Sequence, residues 1–469
     1  MKTTKKRLGV ALSLVVSLLG LQAAVTPAHA AAASGEAYIK LISPVIDDSM
    51  ISQKAENQKM ANSWVDNTWF GSGLTYTVTW APAGSTINVT YNVSDKDGNP
   101  FVNTPVKLRV GKGYSGSTAI VAVDGLKTNG IDKPPFDQAN PIRKTDSFGN
   151  VSFTLVNLND VSEGEPQPAN WTDKPISNTD LNALYVQIMP EVNGEKPDHS
   201  AITEFRLYKP NAPVAAGTLN NPTIRLASPV LTDTNSVHRD DLETLFSVTN
   251  SWYAKGIGVR QAYVPVGGSA YMAYSVKDDS GKPVVNKQIK LHVNKAYSGS
   301  NGKVSNDGKD ATDSTKPNDA DQAVWTATTD AFGTAVFLMK NSDTKGEATP
   351  ATMTAKMPEG KSAVFSQFWP ELSGAKDVAD MTEFHFYTPP VTVAAVAAAK
   401  AVKGKYNLTI TVNGPAGASA AVTVTGLAKV TKKIGATNSV SYTVAVPKGV
   451  KNVSVLVGGK TYKATVKVG

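Results

Sequence analysis

The sequence predicts an all-β protein: two tandem β-sandwiches with loop insertions, followed by a third, smaller β-sandwich at the C-terminus. Three observations lead there. The chain repeats itself at a spacing near 180 residues, every repeated block alternates apolar and polar residues, and the blocks are separated by turn compositions rich in Gly, Asp, Asn and Pro.

The repeat organises everything else. NTPVKLRVGKGYSGST at 103–118 returns 183 residues later as NKQIKLHVNKAYSGSN, with nine of sixteen positions identical. IKLISPV (39–45) is echoed by IRLASPV (224–230), and Ser63-Trp64 by Ser251-Trp252. YNVSDKDGNP (91–100) matches YSVKDDSGKP (274–283), TDSFGNVSF (145–153) matches TDAFGTAVF (329–337), and TEFRLYKP (203–210) matches TEFHFYTP (382–389). The order is kept and the offset stays between 179 and 188, as two copies with indels in loops require.

The elements follow in chain order. MKTTKKR, the apolar run LGVALSLVVSLLGLQAAV and the small-residue end TPAHA read as a secretory signal cleaved after Ala30. The expected organisation is signal 1–30, first repeat 31–213, second repeat 214–390 and a basic β-domain 391–469. In TINVTYNV, Ile87, Val89, Tyr91 and Val93 share one face while Thr86, Asn88, Thr90 and Asn92 share the other; Met272, Tyr274 and Val276 keep the apolar face in the second copy. Val106, Leu108 and Val110 pair with Ile289, Leu291 and Val293, and Val151, Phe153 and Leu155 with Ala335, Phe337 and Met339. The best helical stretch in each copy lies between the first strand and the Trp, at 236–248 and more weakly at 52–64. Each copy is longer than a plain sandwich of about 100 residues, so 118–144 and 301–327 read as insertions. After Pro390, VTVAAVAAAKAVKGK is a linker or first strand, and strands follow at 406–412, 421–425, 440–446, 453–457 and 461–468.

The order D-x-x-G-x-P, V-x-N, V-x-L-x-V and T-D-x-F-G resembles the bacterial immunoglobulin-like modules of invasin and intimin type. It is carried by Asp95, Gly98, Pro100, Val102, Asn103, Val106, Leu108, Val110 and Thr145 to Gly149. The second copy has Asp278, Gly281, Pro283, Val285, Asn286, Ile289, Leu291, Val293 and Thr329 to Gly333. The resemblance implies tandem immunoglobulin-like β-sandwiches forming a stiff extracellular rod. The chain lacks that family's outer-membrane anchoring region and its cysteine-bearing lectin-like tip, so adhesion does not carry over.

Candidate chemistry is sparse. Tyr114 to Ser117 and Tyr297 to Ser300 follow a strand and give no G-x-S-x-G elbow, and none of the four histidines of the mature chain has a histidine counterpart in the other copy. No catalytic, cofactor-binding or metal site is expected, and the protein reads as a non-enzyme. The loop at 306–321, with Asp307, Asp310, Asp313, Asp319 and Asp321, has an oxygen density that suits calcium, but its spacing is not that of an EF-hand, and a solvated loop is the expectation. Lys107 and Lys290, with Glu204 and Glu383, invite an isopeptide, but the lysines fall on the polar face. Trp171 and Trp325 lie in or beside loops and are the candidate glycan-binding aromatics.

Charge is the most informative functional feature. The formal +8 becomes about +4 once the signal leaves; residues 31–390 then carry −7, whereas 391–469 hold eleven lysines and no acid. Lys463 and Lys467 lie on the polar face of the last strand, and Lys429, Lys432, Lys433, Lys448 and Lys451 are expected in turns. Such a one-signed field fits anionic cell-envelope polymers or lipid headgroups, held in a salt-sensitive, multivalent way. Glycans or other surface proteins are further partners. No aromatic stacking platform accompanies the charge, so specific nucleic-acid binding is not expected. The chain has no cysteine, no second apolar run of spanning length and no C-terminal sorting sequence, so neither disulfides nor a transmembrane anchor are expected. The expectation is therefore an exported, extracellular structural protein associated with the cell surface or cell wall, its modules projecting outward from the basic domain. The alternative is a secreted glycan-binding or adhesive protein using loop aromatics.

Overall fold

A computed structural model describes residues 36–56, 75–112, 118–128, 137–177, 180, 182–192, 201–211, 222–249, 258–295, 300–311, 321–359, 362–372, 378–398, 404–415, 417–435 and 438–468. The proposed signal, the Trp64 and Trp252 pair, Asp313, Asp319 and most of both Tyr-Ser-Gly-Ser stretches lie outside them.

The first module contains β1 (Tyr38–Ser43), β2 (Ile51–Glu56), β3 (Thr75–Pro82), β4 (Thr86–Ser94), β5 (Pro105–Lys112), β6 (Val121–Val123), β7 (Leu126–Lys127), β8 (Asp137–Ala139), β9 (Ile142–Lys144), β10 (Asn150–Asn157), β11 (Glu165–Pro166), β12 (Tyr185–Val192) and β13 (Ala201–Lys209). One sheet runs β1-β4-β10-β6-β7, the other β2-β3-β13-β12-β5-β8. β3 lies parallel to β13, the last strand, while β12 is antiparallel to both its neighbours. Apolar residues of both sheets meet between them: Val89, Tyr91, Leu108, Val110, Phe153 and Phe205 are fully buried.

The second module repeats this order with β14 (Thr223–Ser228), β15 (Val237–His238), α1 (Asp240–Thr249), β16 (Gly258–Pro265), β17 (Ser269–Lys277), β18 (Gln288–Lys295), β19 (Val304–Asn306), β20 (Lys309–Ala311), β21 (Asp321–Thr328), β22 (Thr334–Asn341), β23 (Phe365–Leu372) and β24 (Val378–Tyr387). β20-β19-β22-β17-β14 form the counterpart of the first sheet, and β16 lies parallel to β24 as β3 does to β13. Both copies of the Ser-Pro echo are cis, at Ser43-Pro44 and Ser228-Pro229.

Two expectations need correction. The stretches 118–144 and 301–327 are not mere decorations: β6 to β9 and β19 to β21 lengthen the sheets. Residues 52–56 are not helical but belong to β2, paired with β3. That stretch is too polar to give a short helix an apolar face, whereas the edge of β3 satisfies its backbone. The second copy does form α1, with Asp240, Asp241 and Glu243 in the first turn.

The repeated motifs are turn chemistry. Asp95 Oδ1 accepts the N–H groups of Asp97 and Asn99, and Asp278 Oδ1 those of Ser280 and Lys282. Asn103 and Asn286 sit at left-handed φ of 53° and 54°, a conformation asparagine tolerates. The glycine of T-D-x-F-G is demanded twice over: at Gly149 φ is 77°, and a Cβ there would lie 2.4 Å from the Val93 carbonyl oxygen.

The third domain has seven strands: β25 (Thr392–Ala397), β26 (Tyr406–Asn413), β27 (Ser419–Val424), β28 (Val430–Lys433), β29 (Ser439–Val446), β30 (Gly449–Val457) and β31 (Lys460–Val468). β25-β26-β29 face β28-β27-β30-β31 across a core of Leu408, Ile410, Val422, Tyr442, Val453 and Val455. Of the linker-or-strand stretch 391–405, Thr392–Ala397 is thus a strand, residues 399–403 lie outside the described residues, and β28 is an element that alternation alone missed. Its residues VTKK are all exposed, so no apolar period marks it.

Candidate functional site

The outward face of the β28-β27-β30-β31 sheet carries strand lysines of the basic domain. In β31, Tyr462, Ala464, Val466 and Val468 turn toward the core while Lys463 and Lys467 are exposed, as alternation expects. Lys463 is opposite Ser454, and Ser454 opposite Thr423; Lys467 is opposite Val450; Lys433 is opposite Ser419. Paired residues share a face, so Lys433, Lys463 and Lys467 stand on one surface among hydroxyl side chains. Lys463 and Lys467 are about 14 Å apart along an extended strand, far enough to contact separate anionic groups.

The other lysines divide. Lys429 and Lys448 are exposed and lie outside the strands. Lys432, Lys433 and Lys451 are not in turns but in β28 and β30, because pairing with β27 and β31 extends those strands further than their sequences suggest. Lys432 stays exposed but folds over the sandwich edge: its Nζ donates to the Ser441 carbonyl at 2.9 Å and lies 4.8 Å from the centre of the Tyr442 ring. This cation–π contact makes it a packing residue of the sandwich edge. Lys451 is half-buried opposite Val466.

The glycan candidates fare differently. Trp325 is fully buried, 5.8 Å from Phe368 between ring centres, with its indole N–H donated to the Lys309 carbonyl. It has no surface to offer a sugar, because β21 places it on the inner side of the sheet opposite Leu291. Trp171 is half-buried against the first module's core and 6.2 Å from Phe332 of the second. Of the Asp-rich stretch, Asp307 and Gly308 form a tight β19–β20 turn at φ 47° and 76°, matched in the first copy by Asp124 and Gly125. Both are two-residue hairpin turns of the kind Asp-Gly favours.

A buried polar cluster recurs in each module and was not found by sequence reasoning. In the first, Arg206 lies between two carboxylates, 2.7 Å from Glu204 and 3.0 Å from Glu165, with its guanidinium 4.5 Å from the Tyr185 ring centre. Tyr76 and Gln187 donate to the far oxygen of Glu204. In the second, His385 takes the arginine's place, 2.7 Å from both Glu347 and Glu383. Gln261 and Gln367 donate to Glu383. Burial opposes the charged imidazole, but the hydrogen bonds it donates to both carboxylates, with their negative charge, outweigh it and raise His385 to about 8. The signal was present as TEFR against TEFH, but the third member comes from elsewhere in the chain, Glu165 from β11 and Glu347 from the stretch between β22 and β23. Glu204 and Glu383 are thus committed to these clusters. Lys107 instead pairs with Glu191 at 2.8 Å, and Lys290 is opposite Glu371.

Residues 267–366 match the family Bacterial Immunoglobulin-like 21. The matched segment spans the second module from the turn before β17 into β23. No curated protein matches the chain. Among solved structures, trypsin-activated alpha-2-macroglobulin from Escherichia coli is similar at 11% identity over 83% of this chain and 23% of that chain, with a TM-score of 0.18. Surface layer protein SbsC is similar through its domains 4–9, at 11% identity over 89% of this chain and 50% of that chain, with a TM-score of 0.24. Its domains 5–6 give 12% identity over 66% and 91%, again at 0.24. The chain spans under a quarter of the length of the macroglobulins it matches. The immunoglobulin-like assignment rests on the family match and the observed sheets.

Proposed function

We propose that this chain, which carries a bacterial immunoglobulin-like module, is an exported, non-catalytic structural protein of the cell surface whose C-terminal domain holds the anionic envelope. The observation that carries the reading is the lysine face of β28 and β31 in a domain of eleven lysines and no acid. Lys433, Lys463 and Lys467 have a common outlook and no neighbouring carboxylate in their own domain to neutralise them. Repeating phosphates or carboxylates of a wall polymer, or lipid headgroups, would meet several of these cations at once, and each contact is screened by salt. The remaining modules, with their net negative balance, would be repelled from the same surface and stand away from it. Free loop aromatics, the basis of a glycan-binding reading, are weakened by the burial of Trp325.

The test is retention of the purified mature protein on washed envelopes of the producing cell across increasing salt. Retention should fall steadily with salt, and Lys433→Glu, Lys463→Glu and Lys467→Glu together should lower affinity at least tenfold at low salt. Salt-independent binding, or a triple variant that binds like the parent, would sink the reading.

A further inference from the structure

The polar faces of the two modules, which alternation would hand to solvent, are turned toward each other. Thr90 and Ser152 of the first module and Ala273 and Thr334 of the second are all buried. The contact is reciprocal down to single atoms. Asp146, in the T-D-x-F-G turn of the first module, accepts the Tyr271 backbone N–H at 2.6 Å; Asp330, its equivalent, accepts the Asn88 N–H at 2.6 Å. Ser147 N–H donates to the Ser269 carbonyl at 3.0 Å, and Ala331 N–H to the Thr86 carbonyl at 3.1 Å. Phe148 reaches the second module's core, 5.7 Å from Phe384 between ring centres. Phe332 enters the first module's core, 5.8 Å from Phe205.

Each turn sits at the end of its own sheet and meets the first residues of the other module's central strand, so β4 and β17 run in opposite senses. The two modules are therefore related by a pseudo-twofold axis, and the surface is self-complementary in the way that two-fold dimer interfaces are. None of these contacts uses residues 210–222, the thirteen that join the modules, and nothing in them distinguishes a partner module on the same chain from one on another.

We propose that the same surface joins two copies of this chain, with the first module of each docked on the second module of the other, in a closed exchanged dimer. The contacts of the single chain are all kept and occur twice, so their energy per chain does not change. The balance is then set by the effective concentration of the tethered module, about millimolar for a short connection. The single-chain arrangement dominates in dilute solution, and exchange becomes competitive where chains are crowded, as on a surface. This inference does not depend on envelope binding by the basic domain.

The cysteine-free chain makes the test direct. Ser147→Cys and Ser269→Cys are prepared as separate full-length variants, mixed in equal amounts, refolded together at increasing concentration and then oxidised. Within a single chain each thiol faces a serine, whereas in the exchanged dimer the two thiols of different chains face each other. The mixed disulfide dimer should rise with concentration and exceed either like-with-like disulfide at least tenfold. Mixed and like-with-like products in statistical proportion at every concentration would overturn the proposal. A double variant, Ser147→Cys with Ser269→Cys, should close an intrachain disulfide in dilute solution. Failure to do so would remove the reciprocal contact itself and the proposal with it.

Discussion

Arg206 and His385 occupy the same place in the two modules, yet only one of them can lose its charge near neutral pH. His385 is raised to about 8 from its usual 6.5, so the folded state favours the imidazolium. Its contribution is in full below pH 6.5 and is lost as pH rises through about 8. The melting temperature of the protein should therefore fall over that interval, and the His385→Arg variant, with the permanent charge of the first module, should fall less. A calorimetric pH series on both proteins measures the difference; identical pH profiles would deny the histidine this role. Removing the cation altogether is harsher, since His385→Ala leaves Glu347 and Glu383 buried together and should cost about 3–5 kcal/mol.

At the scale of elements, turns decide where strands begin and end. Gly308 and Gly333 both have positive φ, but a Cβ at Gly308 meets nothing within 4 Å, whereas one at Gly333 lies 2.5 Å from the Val276 carbonyl oxygen. Gly308→Ala should cost only the left-handed backbone penalty, about 1–2 kcal/mol. Gly333→Ala should cost clearly more, because the strand β17 itself is in the way. Chemical denaturation of the two variants separates these cases, and equal losses would show that backbone conformation alone sets the turn. The Gly333 turn was legible in sequence as T-D-x-F-G, and the turns at Gly98 and Gly281 as D-x-x-G, as were the inner faces of β4, β5, β10, β17, β18 and β22; the Gly308 turn was legible only as part of a solvated Asp-rich loop. β28 was not legible, because four exposed residues carry no period. β2 was misread because its polar stretch is held only by the neighbouring edge of β3.

At the scale of the molecule, Phe148 and Phe332 couple the two modules by completing each other's cores. Phe332→Ala should cost about 3–5 kcal/mol and loosen that coupling, so that a single cooperative unfolding of the two modules separates into two transitions. Differential scanning calorimetry reads this directly, and a parent protein that already unfolds its modules separately would deny the coupling. A pair of modules packed sheet against sheet also differs from the end-to-end rod that the family resemblance implies.

The amino-acid sequence by itself determined the all-β class, the duplication, the inward faces of the main strands and the concentration of positive charge at the C-terminal end. Those properties are local: period, turn residues and composition act within a few positions of each other. Tertiary structure alone decided that Glu165, Arg206 and Glu204 meet, that Trp325 is core, that Lys432 lies over the Tyr442 ring, and that Thr90 and Ser152 face a second module instead of water. Those contacts join residues far apart in the chain, and a polar strand face has the same alternation whether its partner is solvent or another sheet.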